Sequence, residues 1–352
     1  MHGFSIYLGQ PIDKSYITRM ISLGYATIFT SVQIPEEEDK TKYRYLGELL
    51  DYLSNNHLTY MIDINPSLLD HSFYEFLQAY QHAQFIIRID HSTSIEVIND
   101  IINHGFQCCL NASILSESML RQLYEQLDDF SYLCYCHNYY PRPDTGLDDQ
   151  FVNKQNILIL KYNPNATIFG FIAGTTARGP LFKGLPTIES TRDKHPVESA
   201  QLLLNNATTQ ILIGDSKLDE TTAQQLISIL CHRHFTFTLN LSDLQATSIL
   251  QQQHTVRPDA PNLVVRSQEA RHYCTFDIKP NQTIHRRTGS VTLDNKLNHR
   301  YQGELQIIRT DLPAHQHVNV VGEIIASEHA LIHCMQPNDT FNFILKTREQ
   351  NS

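Results

Sequence analysis

The sequence predicts an α/β protein: a (β/α)8 TIM barrel followed by a small all-β barrel domain. Three observations carry this. Eight short runs rich in Ile, Phe, Tyr or Val each end in polar or small residues, as buried parallel strands do. Amphipathic, helix-like stretches lie between them. Beyond about residue 235 that alternation gives way to short strand-like pieces separated by turn residues. The predicted domains are therefore 1–234 and 235–352. A doubly wound open sheet is the alternative for the first; the strand count favours the barrel.

The eight runs are FSIYLG (4–9), ATIFTSV (26–32), TYMIDINP (59–66), FIIRID (85–90), CCLNAS (108–113), YLCYCHN (132–138), TIFGFIAG (167–174) and QILIGDS (210–216). KSYITRMISLG has apolar residues near helical spacing and ends in Gly24, a C-cap signal. KYRYLGELLDYLSNN, SIEVINDIINHG, SESMLRQLYEQLDDF, HPVESAQLLLNN and DETTAQQLISILCHR read alike. In the second domain FTFTLNL (235–241) alternates, and HTVRPDAPNL reads as a linker or rigid loop. RHYCTFDI, GSVTLD, GELQIIRT, VNVVGEII, HALIHCM and FNFIL read as strands.

Composition narrows the function. The net charge of −10 over 352 residues argues against nucleic-acid binding, while leaving room for a local basic pocket. Seven cysteines at irregular spacing read as reduced, mostly buried thiols of a cytoplasmic protein. The N-terminus MHGFSIYLGQ lacks a basic n-region and a long apolar stretch, so no signal peptide is expected. No segment reaches the roughly 20 apolar residues of a membrane span. The expected partner is a small molecule, with a homodimer left open.

Catalytic residues of such barrels sit at the C-terminal ends of the strands. The last polar residue of each run gives Tyr7, Ser31, Asp63, Asp90, Asn111, His137 with Asn138, and Asp215. Any one of these acids alone is more often a helix cap. Together on one rim they point to a polar site. The stretch HNYYPRPDTGL (137–147) adds Arg142 between two prolines. The long loop 174–196 adds Arg178, Lys183, Glu189, Arg192 and Asp193. Long shaped loops in compact domains are commonly functional. Arg142, Arg178 and Arg192 are candidates to clamp an anion through bidentate bonds; the alternative is pairing with Glu189 and Asp193.

Other motifs carry less. Cys134 and Cys136 point to one face of a strand with no CxxC partner, so core is favoured over metal, and no metal or other cofactor is expected. Neither GFIAG nor GTTARG matches a nucleotide-binding loop. QTIHRRTG (282–289) reads as a solvated hairpin. With no Trp in the chain, a sugar platform would be Tyr7, Tyr139 or Tyr140.

GFSIYLG, IFTSVQIPEE, LNAS, HNYYPRPDTGL, RGPLFKGLPTIESTR and ILIGDS, with GSVTLDN, RYQGELQI and HVNVVGEI beyond residue 288, resemble the MupG-type 6-phospho-N-acetylmuramidases, glycoside hydrolase family 170. The resemblance spans nearly the whole chain. It implies a TIM barrel followed by a cyclophilin-like β domain. It also implies cytoplasmic hydrolysis of the β-1,4 bond of N-acetylmuramic acid 6-phosphate–N-acetylglucosamine during peptidoglycan recycling. That substrate carries a phosphate, a lactyl carboxylate and an acetamide. Arg142, Arg178 and Arg192 suit the anions, and Asn111 and Asn138 the amide or hydroxyls.

Glycosidases usually place two carboxyl groups around the scissile bond, one as acid and the other as nucleophile or as base for water, and the substrate's own acetamide can replace the nucleophile with a second acid orienting it. Glu189 is the expected acid, because a long loop can bury it and raise its pKa. Asp63 is its expected partner, then Asp215, then Asp90. Asp144 sits in a Pro-Asp-Thr-Gly turn and reads as a turn-former. Asp294 and Asn295 of the β domain could reach a barrel mouth or form an ordinary turn. On this reading Glu189→Gln abolishes turnover and spares binding. The competing class is a non-catalytic sugar-phosphate binding protein, which would keep the arginines without needing paired carboxyls. A Schiff-base aldolase is disfavoured because no strand ends in Lys.

Overall fold

A computed structural model describes residues 2–34, 39–90, 94–127 and 129–346. Pro35, Glu36 and Glu37 of IFTSVQIPEE lie outside the described residues. The chain forms two compact units, Met1–Ile227 and Ser228–Ser352. No helix among the described residues is long and apolar enough to cross a membrane.

The first unit is a closed barrel of eight parallel strands in sequential order. They are β1 (Gly3–Ser5), β2 (Thr27–Ser31), β3 (Thr59–Ile64), β4 (Gln84–Ile89), β5 (Gln107–Asn111), β6 (Leu133–Cys136), β7 (Thr167–Ile172) and β8 (Gln210–Ile213). Each falls within one of the eight predicted runs or within a residue of it. Helices alternate with them: α1 (Lys14–Leu23), α2 (Asp39–Tyr52), α3 (His71–Gln78), α4 (Ile95–Asn103), α5 (Glu117–Gln126), α6 (Asp149–Tyr162), α7 (Pro196–Asn205) and α8 (Glu220–His232). Of these, α3 and α6 are not among the helices predicted from the sequence. Side-chain caps fix several starts: Asp13 accepts from the Tyr16 N–H, Asp70 from Phe73 and Asp148 from Phe151. Such caps contribute about 1 kcal/mol each. Gly24 ends α1 at φ +106°, the left-handed conformation a side chain resists.

The period of two along each strand sets what lies inside. Phe29, Met61, Ile86, Cys109, Cys134, Cys136, Phe169, Phe171 and Leu212 form the barrel core. Burial pushes the Cys109 and Cys136 thiols far up, so they stay protonated. Two residues on from Phe29, Met61, Ile86, Cys109 and Cys136, at the C-terminal mouth, stand Ser31, Asp63, Arg88, Asn111 and Asn138.

The second unit is a seven-stranded sheet. Its strands are β9 (His234–Leu241), β10 (His254–Thr255), β11 (Val264–Arg266), β12 (Ser290–Asp294), β13 (Leu305–Ile308), β14 (Val318–Ile324) and β15 (Thr340–Lys346). They run in the order β10-β15-β9-β14-β12-β13-β11. Two readings need correction. HALIHCM is a helix (His329–Cys334), not a strand; a short apolar run with polar neighbours does not distinguish the two. The predicted linker supplies β10, and RHYCTFDI opens with a helical turn rather than a strand. Within this unit Asn295 caps the Leu297 N–H and donates to the Gln316 carbonyl and Asn319. Burial pushes the neighbouring Asp294 up to about 6.

Candidate active site

Ser31, Asp63 and Arg88 stand directly opposite one another on β2, β3 and β4. Their chemistry joins as the register dictates. Arg88 Nη1 donates to Asp63 Oδ1 at 2.5 Å. Its Nη2 donates to Asp90 Oδ1 at 3.1 Å and also to Asn138 Oδ1. Gln33 Nε2 and Ser31 Oγ donate to Asp63 Oδ2 at 2.7 and 3.0 Å. The Arg88 side chain is only 4% exposed. Burial alone would lower its pKa; the carboxylates of Asp63 and Asp90 more than reverse that, and it stays charged. Asp63, Arg88, Asp90 and Asn138 line one cavity of about 190 Å³ with Phe29, Tyr139 and Phe171. The Arg88 Nε–H, also buried, has no hydrogen-bond partner among the described residues.

A layer behind this cluster holds it in place. Asn111 Nδ2 donates to Asp90 Oδ1 at 2.7 Å, and its oxygen accepts from the Ser113 N–H. Ser113 Oγ accepts the Asn138 N–H and lies 3.2 Å from His137 Nδ1. His137 Nε2 lies 2.8 Å from Asn156 Oδ1. His137 is wholly buried, and burial pushes it down to about 4, so it is neutral at physiological pH. Among the described residues, Ser113 and Asn138 link it to the cavity.

Glu189 lies in a different knot. It opens a 3-10 turn (Glu189–Thr191), and its carboxylate takes both Nε and Nη2 of Arg192 at 2.7 and 2.5 Å. It also accepts the N–H groups of Asp144 and Gly146 at 3.0 and 2.7 Å. The Arg192 guanidinium beside it is the main cause that holds Glu189 down at about 2. Such a group is an ionised acceptor, the opposite of a protonated acid. Arg192 is engaged in turn: it donates to the carbonyls of Tyr140, Lys183, Gly184 and Arg142. The pair ties the loop of Arg142 to the loop of Lys183. Gly146 is required there, because a Cβ would stand 2.5 Å from Glu189 Oε2 and 2.9 Å from its backbone. Asp144 adopts φ +66° in this turn.

Asp215 is fully buried and accepts three backbone N–H groups, those of Gly174, Arg178 and Leu185, at 2.9–3.0 Å. It shapes the loop after β7. That loop sets the Arg178 guanidinium 3.8 Å above the ring of Tyr7. Tyr7 itself donates to the Gly214 carbonyl, and burial raises its pKa well above the usual value. Arg142 and Lys183 are exposed.

The residues expected at one rim thus separate into groups. Asp63, Asp90 and Asn138 meet at the cavity, with Asn111 and His137 behind them. Glu189 and Arg192 brace two loops, and Asp215 anchors a third. Arg88, Gln33, Phe29 and Phe171 were not singled out from the sequence, whereas Tyr139 was, as a candidate sugar platform. A lone Arg inside the apolar run FIIRID, at the same parity as the rim residues, was the available signal.

The chain matches the description "6-phospho-N-acetylmuramidase, N-terminal" over residues 2–228 and "6-phospho-N-acetylmuramidase, C-terminal" over 234–344. Among solved structures it resembles a conserved Enterococcus faecalis protein of unknown function at 29% identity and TM-score 0.82, covering 98% of this chain and 96% of that one. It shares its fold with an uncharacterized Bacillus cereus protein at 23% identity and TM-score 0.76, covering 98% of this chain and 100% of that one. No functionally curated protein matches it. Both units carry the match, and the chain belongs to the 6-phospho-N-acetylmuramidase family of glycosidases.

Proposed function

We propose that this protein hydrolyses the β-1,4 bond of N-acetylmuramic acid 6-phosphate–N-acetylglucosamine in the cytoplasm during peptidoglycan recycling, releasing the two sugars. The observation that carries this is the pair Asp63 and Asp90, facing one cavity at the barrel mouth and sharing one buried guanidinium. Glycoside hydrolysis calls for such a pair. Three donors fix Asp63 through both oxygens, and Asp90 Oδ1 accepts from Arg88 and Asn111. Asp63, engaged on both oxygens, takes the fixed-carboxylate role, and the proton-exchanging role falls to the other carboxyl group at the cavity, Asp90. Glu189 and Asp215 act as loop braces rather than in the chemistry.

The anion site falls to Arg178, stacked on Tyr7, with the exposed Arg142 and Lys183, whose backbones Arg192 ties together. Arg178 is half-buried, where a charge-assisted bond to phosphate is stronger than in open water. The test uses a fluorogenic aryl β-glycoside of N-acetylmuramic acid 6-phosphate beside the same glycoside lacking phosphate. Turnover of the phosphorylated compound alone is expected. Equal turnover of both would remove the phosphate site, and turnover of neither would overturn the hydrolase reading.

A further inference from the structure

The floor of the mouth cavity differs from its walls. Phe29, Tyr139 and Phe171 meet edge to face, with centroids 5.0 Å apart for Phe29–Phe171, 5.1 Å for Tyr139–Phe171 and 6.1 Å for Phe29–Tyr139. All three line the same space as Asp63, Arg88, Asp90 and Asn138. One small cavity thus has a three-ring apolar end and a polar end rich in acceptors. At about 190 Å³ it is well below the roughly 300–1,000 Å³ of pockets that enclose whole drug-sized ligands. It suits a substituent better than a disaccharide.

The chemistry selects which substituent. A phosphate or lactyl carboxylate would bring anionic oxygen against aromatic rings and against two carboxylates that already share the Arg88 guanidinium of this cavity. A secondary amide fits both ends: its methyl meets the rings and its N–H meets a carboxylate. A carboxylate has about four acceptor positions, and Ser31, Gln33 and Arg88 occupy three of those on Asp63. With the described residues one position remains, enough for an amide N–H. A carboxylate held through both oxygens is also poorly placed to attack carbon itself.

We infer that this cavity is an acyl-amide pocket that seats the 2-acetamido group of the cleaved sugar, and that the acetamide oxygen rather than a protein carboxylate attacks the anomeric carbon. The inference rests on the hydrolase reading and deepens it. In the first step the amide oxygen bonds to C1 while the C1–O bond to the departing sugar breaks. Asp90 gives its proton to that departing oxygen, and Asp63 holds the N–H of the cyclic oxazolinium ion. In the second step water attacks C1, its proton goes to the Asp90 carboxylate, and the C1–O bond to the acyl group breaks, restoring the amide. One water is consumed, and two inversions give net retention. Phe29, Tyr139 and Phe171 set acyl size.

The test measures the full chain on aryl β-glycosides of the 6-phosphorylated sugar bearing N-acetyl, N-fluoroacetyl, N-difluoroacetyl and N-trifluoroacetyl groups. Each fluorine weakens the amide oxygen as a nucleophile with little change in size. Participation predicts that kcat/KM falls stepwise, by about a hundredfold or more across the series, read as lost transition-state stabilisation. Turnover of the acetyl compound with the whole series within about threefold overturns this inference and leaves the hydrolase reading intact. No turnover of the acetyl compound overturns both. As an independent check, Phe171→Leu raises the N-propionyl to N-acetyl rate ratio severalfold if the rings bound the acyl group; an unchanged ratio counts against the pocket.

Discussion

Two carboxylate–guanidinium knots of this barrel, centred on Arg88 and Arg192, look alike by their short ion pairs. In one, Arg88 joins Asp63, Asp90 and Asn138; in the other, Arg192 joins Glu189. Their surroundings separate them. Arg192 gives its remaining donors to four backbone carbonyls, and Glu189 takes two backbone N–H groups. That knot closes on the main chain and fixes two loops. The Arg88 knot opens on a cavity, keeps its Nε–H without a partner among the described residues, and is buttressed by side chains from β2, β4, β5 and β6 and the residues just after them. An ion pair whose hydrogen bonds end in backbone is architecture; one that ends at a cavity is available for chemistry.

The sharpest way to break this distinction is to neutralise the carboxylates. Asp63→Asn and Asp90→Asn should each lower kcat by about a thousandfold, within the range of lost acid–base catalysis, with the fold retained by circular dichroism. Next comes Arg88→Lys. A lysine cannot serve two carboxylates and an amide with one planar fork. The expected result is a kcat loss of about a hundredfold with little change in KM, since removing the fork misplaces the groups it orients. A KM effect alone would make Arg88 a substrate ligand instead. Arg178→Ala should raise KM for the phosphorylated glycoside by tenfold or more, the value of one charged hydrogen bond of about 1.5–3 kcal/mol, and should leave kcat largely unchanged.

The smallest effect on turnover belongs to Glu189→Gln. It should keep kcat within about tenfold of the parent while costing about 2 kcal/mol of stability, through weakened bonds to Arg192 and two N–H groups. Its pH signature is specific. The folded carboxyl sits at about 2, below its ordinary 4.5. Its stabilising contribution is therefore complete above about 4.5 and is lost as pH falls toward 2. Acid denaturation followed by fluorescence should lose part of its slope between those values in the Gln variant; an unchanged profile would detach Glu189 from the brace.

The strands were legible because each is an apolar, β-prone run ending in polar residues, and that pattern also marked the mouth. Asp63, Asp90, Asn111 and Asn138 followed from it. What could not be read was where each polar group sends its hydrogen bonds. Glu189 and Arg192 are three residues apart in a loop whose conformation the sequence does not display, so the sequence left their mutual pairing open beside the roles of acid and anion ligand. Arg88 was passed over because a charge within a strand carries no sign of facing inward until register places it opposite Asp63. HALIHCM misled for a related reason: six residues of helix are too short to show a period.

The most direct test of the account is a side-by-side measurement of kcat for Asp63→Asn, Asp90→Asn and Glu189→Gln on the phosphorylated aryl glycoside. The account predicts near-abolition for both aspartate variants and a largely active glutamine variant. An inactive, folded Glu189→Gln protein beside active aspartate variants would contradict it and return the chemistry to the loop.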